Sequence, residues 1–409
     1  MRHAGHPALQ PLRLQSVEHT TLAQVAPSPE PAAQDTLREI TIDHLEALAI
    51  GAGILGTGGG GNPYLGKVAC KRELTQLGRT VPIVPLHEVP DDAVVASVGG
   101  VGAPVVGVER LAEGTEFVKA IRALEHHTGK TVTHIIAAEI GGGNSIAPIR
   151  TAAQLGVPMI DADAMGRAFP ELQMDTFFIN GVIPTPMAIA DIRGHTATYD
   201  NITDANVLER YVRVVTVQMG GASAAAGPML AGDEARRVSI PNTLTLAVRL
   251  GEAVLEARRT HADPAEAALA VTGGEKLFHG KIVDVERRLE GGFNRGHVTL
   301  EGTGPDGGRR LTVDIQNENL VARAEDGTVL CAVPDLICIV DAETAEPITT
   351  EVLRYGLRVT VLGIPAPAMI ATPRALEIVG PAAFGYPEVD YVPLPGIYGQ
   401  GIATHRAAS

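Results

Sequence analysis

The strongest constraint on this chain is a change of period along it. Between residues 40 and 160 short apolar runs alternate with helical patterns; from Lys276 onward the runs alternate residue by residue and are cut by turns. In the first stretch 94–98, 132–138 and 157–160 read as strands. Ile42, Leu45, Leu48, Ala49, Ala52 and Leu55 recur at helical spacing, and Asn62-Pro63 offers an N-cap and first-turn proline for a second helix to about Leu77. Further helices are expected at 115–127 and 146–155. Strands separated by helices imply a largely parallel, helix-covered sheet. Beyond Thr203, 207–219 and 244–258 read as helices around a Gly/Ala-rich connection at 220–227. Strands are then expected at 281–287, 297–301, 310–315, 320–324, 336–340 and 357–362, parted by glycine-rich turns such as 304–308.

The expected architecture is α/β. A Rossmann-like three-layer domain with a mostly parallel sheet occupies 38–203. A smaller α+β domain follows at 204–400, helical at its start and β-rich from about 276. Residues 1–37, with Pro7, Pro11, Pro27, Pro29 and Pro31 and no apolar periodicity, read as a disordered tail. They lack the apolar core of a secretory signal. The 409 residues suffice for two cores at about 150 residues per domain. The net charge of −14 argues against nucleic-acid or anionic-membrane partners, which need a basic stripe. No window approaches the roughly 18 apolar residues of a membrane helix. Cys70, Cys331 and Cys338 form no disulfide framework or metal spacing, which fits a reducing cytoplasm. A homo-oligomer stays open.

Ligands of open α/β sheets bind beyond the carboxyl ends of strands. Three such ends run into unusual loops here: 99–104, then Glu139 through Ser145, then Asp161 through Arg167. If the strands are neighbours, these loops converge on a crevice holding Glu139, Asp161, Asp163 and Arg167. Gly56, Gly58 and Gly61 formally match a dinucleotide fingerprint. That fingerprint requires a preceding strand, and here a helix precedes it. The stretch Gly58, Gly59, Gly60, Gly61 is either a helix C-cap and tight connection or a loop holding an anion or carbonyl oxygen. Asp161 and Asp163, two apart at a strand end, either divide acid and base work or serve as a cap and an Arg167 partner. With Glu139 they allow a two-carboxylate metal site, which no His-rich spacing supports. In the second domain Arg295, Asn317, Glu318 and Asp335 can face a cleft between domains; hairpin turn chemistry is the other account, favoured for Asn294 and Asn319.

Several of these motifs resemble the S-methyl thiohydantoin desulfurase family. The likeness runs from Gly53-Ile54-Leu55-Gly56-Thr57-Gly58-Gly59-Gly60-Gly61-Asn62-Pro63 through Glu139-Ile140-Gly141-Gly142-Gly143-Asn144-Ser145 and Asp161-Ala162-Asp163-Ala164-Met165-Gly166-Arg167. It continues in Gln316-Asn317-Glu318-Asn319, Pro334-Asp335-Leu336-Ile337 and Gly380-Pro381-Ala382-Ala383-Phe384. The resemblance implies hydrolysis of a five-membered S-methylated thiohydantoin to a hydantoin, with release of methanethiol. On that reading Asp161, Asp163 and Glu139 supply acid and base. Gly58, Gly59, Gly60, Gly61 and Asn144 contact the substrate, and Arg167 or Arg295 anchors its anionic side chain. No cofactor is expected. Competing readings are a ring-opening cyclic amidohydrolase, for which a divalent metal would be usual, and a non-catalytic subunit binding a small anion.

Overall fold

The computed structural model describes residues 36–400 apart from 104, 105, 107, 108, 110, 111, 291 and 292. The expected proline-rich tail lies almost wholly outside the described residues.

Two sheets organise the molecule. Among the described residues the first has nine strands: β1 (Glu39–Ile40), β2 (Val81–Pro85), β3 (Val94–Gly102), β4 (His134–Ala137), β5 (Met159–Asp163), β6 (Met187–Ala190), β7 (Thr196–Tyr199), β8 (Ala222–Ala231) and β9 (Ile240–Pro241). Their order is β1-β2-β5-β4-β3-β8-β6-β7, with β9 against β5. The expected parallel sheet is its centre, where β2, β5, β4 and β3 run parallel. Antiparallel strands extend that centre on both sides. Residues alternate between faces as the pleat demands. Met159, Ile135 and Ala96 enter one core, and Ile160, Ile136 and Val95 enter the other. The first core is shared with the helices Leu45–Leu55, Glu116–Thr128, Ala147–Leu155 and Thr243–Thr260; Phe177, Ala235 and Val238 of two short helices close the second.

The run expected as a connection at 220–227 opens β8, which pairs with β3 in the middle of this sheet. Alanine and glycine have low strand propensity, so the pattern carried no strand signal. Pairing decides the conformation: Gly99, Gly100 and Gly102 of β3 lie opposite Ala225, Ala224 and Ala222. Thus residues from beyond 203 contribute to the first sheet.

The second sheet is wholly antiparallel, in the order β14-β13-β12-β11-β10-β16-β15. It comprises β10 (Glu275–Glu290), β11 (Phe293–Gly302), β12 (Arg310–Gln316), β13 (Glu318–Ala324), β14 (Val329–Ala332), β15 (Leu336–Asp341) and β16 (Arg358–Ile364). β15 shows how the halves join. Its Leu336, Cys338 and Val340 pack into the core of the first sheet, whereas Ile337 and Ile339 enter the second sheet's own core. The element between the sheets is the helix Leu45–Leu55, apolar all round and buried at every position except Glu46. It packs on Thr243–Thr260 and on β15, and ends at Gly56, delivering the glycine turn to the junction.

Candidate functional site

The carboxyl ends of β3 and β4 open on a cavity of about 280 Å³ between the two sheets. That is near the lower limit for small-molecule sites, roughly 300 Å³. One wall comes from β3 and β8, where Gly99, Gly100, Gly102, Ala222, Ser223 and Ala225 leave room by lacking large side chains. The opposite side comes from Asn317 and Glu318, at the tight connection between β12 and β13. Asn317 takes a left-handed backbone (φ 58°) there. Its amide exchanges bonds with Asn294, which seats the turn against β11.

Two buried glutamates face this space from different domains. Glu139 follows β4 and is 5% exposed; Glu318 opens β13 and is 2% exposed. Glu139 is well supplied with donors, accepting from Asn144 Nδ2 at 2.6 Å and from the Phe169 N–H at 3.2 Å. Asn144 is itself held by the Gly100 N–H, 2.9 Å from its Oδ1. Burial pushes the Glu139 carboxyl up to about 8 against these hydrogen bonds, with a further upward push from Asp163 and a downward one from Arg167. Glu318 is pushed well above the usual carboxylate range, chiefly by burial and then by the charge of Glu139, while Arg167 and Arg213 oppose the shift. Its Oε2 has no hydrogen-bond partner among the described residues. Donors stabilise a carboxylate and their absence favours the acid. By that argument the acid form is favoured more strongly at Glu318 than at Glu139.

The glycine turn reaches the cavity with only part of its length. Gly60 and Gly61 line the cavity; Gly58 and Gly59 do not. A Cβ on Gly59 would stand 2.0 Å from Glu318 Oε1, so this glycine makes room for the carboxylate. A Cβ on Gly60 would stand 2.3 Å from the Gly141 carbonyl oxygen, the seam along which the loop of Glu139 is pressed. The turn's carbonyls are engaged: Thr57 O accepts from Asn319 N and Gly58 O from Thr350 N, each at 2.8 Å. The second domain is thereby stitched to the turn.

Asp161, Asp163, Arg167 and Arg295 are not among the cavity-lining residues. Asp161 is fully buried and caps Thr243–Thr260, accepting from the Thr245 N–H at 3.0 Å and its hydroxyl at 2.5 Å. Asp163 gathers the N–H groups of Ile140, Met165 and Gly166 at 2.8 to 3.0 Å on one oxygen, shaping the loops after β4 and β5. Burial raises it to about 7 against those bonds. Strand-end aspartates compete between capping and catalysis, and here capping prevails. Arg167 is fully buried and spends its guanidinium on Thr57 and on carbonyls of both domains. Arg295 lies in β11 with its guanidinium over the Phe293 ring, 5.8 Å from the centroid. Cys70 is buried, and its thiol is pushed up to about 12 by burial, so it is no nucleophile.

The cation that does line the cavity is Arg213, in the helix Ala205–Gln218. Its Nε binds Glu209 at 2.7 Å, its Nη2 binds the Pro170 carbonyl at 2.9 Å, and its face lies 4.6 Å from the Phe293 centroid. These contacts leave Nη1 without a protein partner among the described residues. An arginine four residues after a glutamate in an amphipathic helix gives no sequence sign of such a place. Asp175 also lines the cavity, but it is committed to capping the helix Thr176–Ile179. Among the described residues no group of three or more His, Cys, Asp or Glu side chains is placed to hold a metal ion, and no helix is long and apolar enough to cross a membrane.

A mixed sheet whose parallel strands end at a small cavity closed by a second, antiparallel domain defines a two-domain α/β protein with a cavity between its sheets. The chain belongs to the S-Me-THD-like family, the S-methyl thiohydantoin desulfurase family its motifs resemble. The family's N-terminal domain matches residues 43–201 and its C-terminal domain residues 203–394. A crystal structure of a protein from Chromobacterium violaceum is similar, with a TM-score of 0.73 and 26% identity over 87% of this chain and 100% of that one. No curated protein matches this chain.

Proposed function

We propose that this protein hydrolyses an S-methyl thiohydantoin to the hydantoin and methanethiol in the interdomain cavity. The observation that carries the proposal is the pair of buried glutamates facing one small cavity, Glu139 held by two donors and Glu318 with its Oε2 unpartnered among the described residues. The ring carbon bearing sulfur is amidine-like, so water adds to it most readily when a base takes the water's proton and an acid supplies one to the ring nitrogen. Glu139 as carboxylate suits the first task and protonated Glu318 the second. The carbon–oxygen bond forms, and the two glutamates exchange protonation states. In the second half Glu318 takes the hydroxyl proton, the carbon–sulfur bond breaks, and sulfur leaves with the proton held by Glu139. Water is consumed, methanethiol departs, and both carboxyls return to their starting states. The free Nη1 of Arg213 offers a donor to an anionic substituent on the ring, in place of Arg167 or Arg295. Asn144, fixed by Gly100, orients Glu139.

The test is incubation of purified protein with an S-methyl thiohydantoin bearing a carboxylate side chain, following thiol release and ring opening separately. Thiol release with an intact ring is expected. Ring opening without thiol release would instead identify a cyclic amidohydrolase, and tight binding with neither product a binding subunit.

A further inference from the structure

We infer that Arg167 is a positioning residue for the carboxylate pair: it holds the segments bearing Glu139 and Glu318 in one arrangement and sets beside them a cation that no carboxylate binds directly. The inference rests on the proposal that this pair is the reacting centre.

Every hydrogen bond of the buried guanidinium goes to a neutral acceptor. Nε binds Ala168 O at 3.0 Å; Nη1 binds Pro334 O at 3.0 Å and Asp335 O at 2.8 Å; Nη2 binds Thr57 Oγ1 at 3.0 Å and Asn319 O at 3.3 Å. These acceptors neighbour the site on all sides. Thr57 opens the glycine turn, and Asn319 follows Glu318. Ala168 precedes Phe169, whose N–H binds Glu139 and whose ring centroid lies 4.7 Å from the guanidinium carbon. Pro334 and Asp335 belong to the second domain. One planar fork thus spans the turn, the Glu139 loop and the Glu318 strand, a geometry that lysine cannot copy.

The charge needs its own account. Bringing a cation out of water is costly, and a buried arginine ordinarily meets a carboxylate. A joint between domains alone needs no charge. The groups facing Arg167 include Glu318, Glu139, Asp335, Tyr391 and the thiols of Cys331 and Cys338. Glu139 faces Asp163 and Arg167; Glu318 faces Glu139, Arg167 and Arg213. In this mostly acidic surrounding Arg167 acts on both glutamates, easing ionisation that burial and mutual repulsion oppose.

The experiment follows the glutamate carboxyls by NMR across pH in protein carrying 13C at Glu side-chain carboxyls, with kcat and KM for thiol release measured in parallel. In folded Arg167→Met the Glu139 titration is expected to rise by about one pH unit. A folded Arg167→Met that titrates as wild type would overturn the electrostatic role. Arg167→Lys keeps the cation and loses the fork. Its glutamates should titrate as in wild type while kcat falls about tenfold or more with KM little changed. Should Arg167→Met fail to fold, Arg167→Lys decides alone, since wild-type kcat in it overturns the positioning role. A wild-type protein without thiol release would count against the proposed reaction, whereas the carboxyl titration would still be readable.

Discussion

Glu139 and Glu318 stand at the centre of the proposed chemistry, and each can be removed with little change of shape. Glu139→Gln and Glu318→Gln are each expected to lower kcat for thiol release about 100-fold or more, the usual contribution of a placed acid or base. The rising limb of the wild-type pH–rate profile should report Glu139. Activity depends on its carboxylate form, so rate is lost as pH falls through about 8. A limb near the ordinary value of 4.5 would remove Glu139 from the role of base. Gly59 gives a sharper test. Gly59→Ala adds one methyl 2.0 Å from Glu318 Oε1, and the carboxylate must move. We expect kcat to fall by about tenfold or more, because misplacement of a reacting group is enough to cost that much. Glu318 was recognisable in the sequence as a polar residue able to face the cleft. A polar run between two strands reads equally well as a turn, and only its burial against Gly59 separates the two.

Elements were legible where pattern and packing agree. The helix Pro63–Leu77 begins on its expected cap, with Asn62 Oδ1 accepting from the N–H groups of Tyr64 and Leu65. The six strands expected in the second domain are present, most of them longer at an end, whereas β14 (Val329–Ala332) was not expected. β8 was illegible because its alanines owe their conformation to partners across the sheet. The strand-end aspartates were visible but ambiguous, since capping and acid catalysis use the same residue at the same spot. Asp161→Ala is expected to destabilise the fold by about 1–3 kcal/mol, through loss of a buried cap, with thiol-release kcat of the folded protein unchanged. Urea denaturation beside single-point kinetics checks both halves. The two central helices meet backbone to backbone: a Cβ on Gly51 would lie 1.8 Å from Ala247 O, and one on Gly251 would lie 1.8 Å from Ala47 O. No side chain fits either crossing.

For the whole molecule, burying these carboxyls makes stability depend on pH. Glu139 is raised from 4.5 to about 8 and Asp163 from 3.8 to about 7. Over those intervals the folded protein keeps protons that the unfolded chain has released, so stability falls as pH rises through them. Glu139→Gln cannot ionise and should show a flatter dependence between about pH 5 and 8, measured as the urea midpoint at several pH values. The opposite slope would contradict the burial of this pair.

The wall of β3 and β8 has one more implication. Because the cavity exists where side chains are missing, its dimensions are written in methyl groups rather than in loop lengths. A single added carbon on this wall, as at Ala225, would narrow the chamber, whereas trimming Ser223 to glycine would also remove its 2.7 Å hydrogen bond to Thr216. If the chamber takes the ring proposed above, discrimination between rings of different bulk can shift one atom at a time, with Glu139 and Glu318 across the chamber untouched.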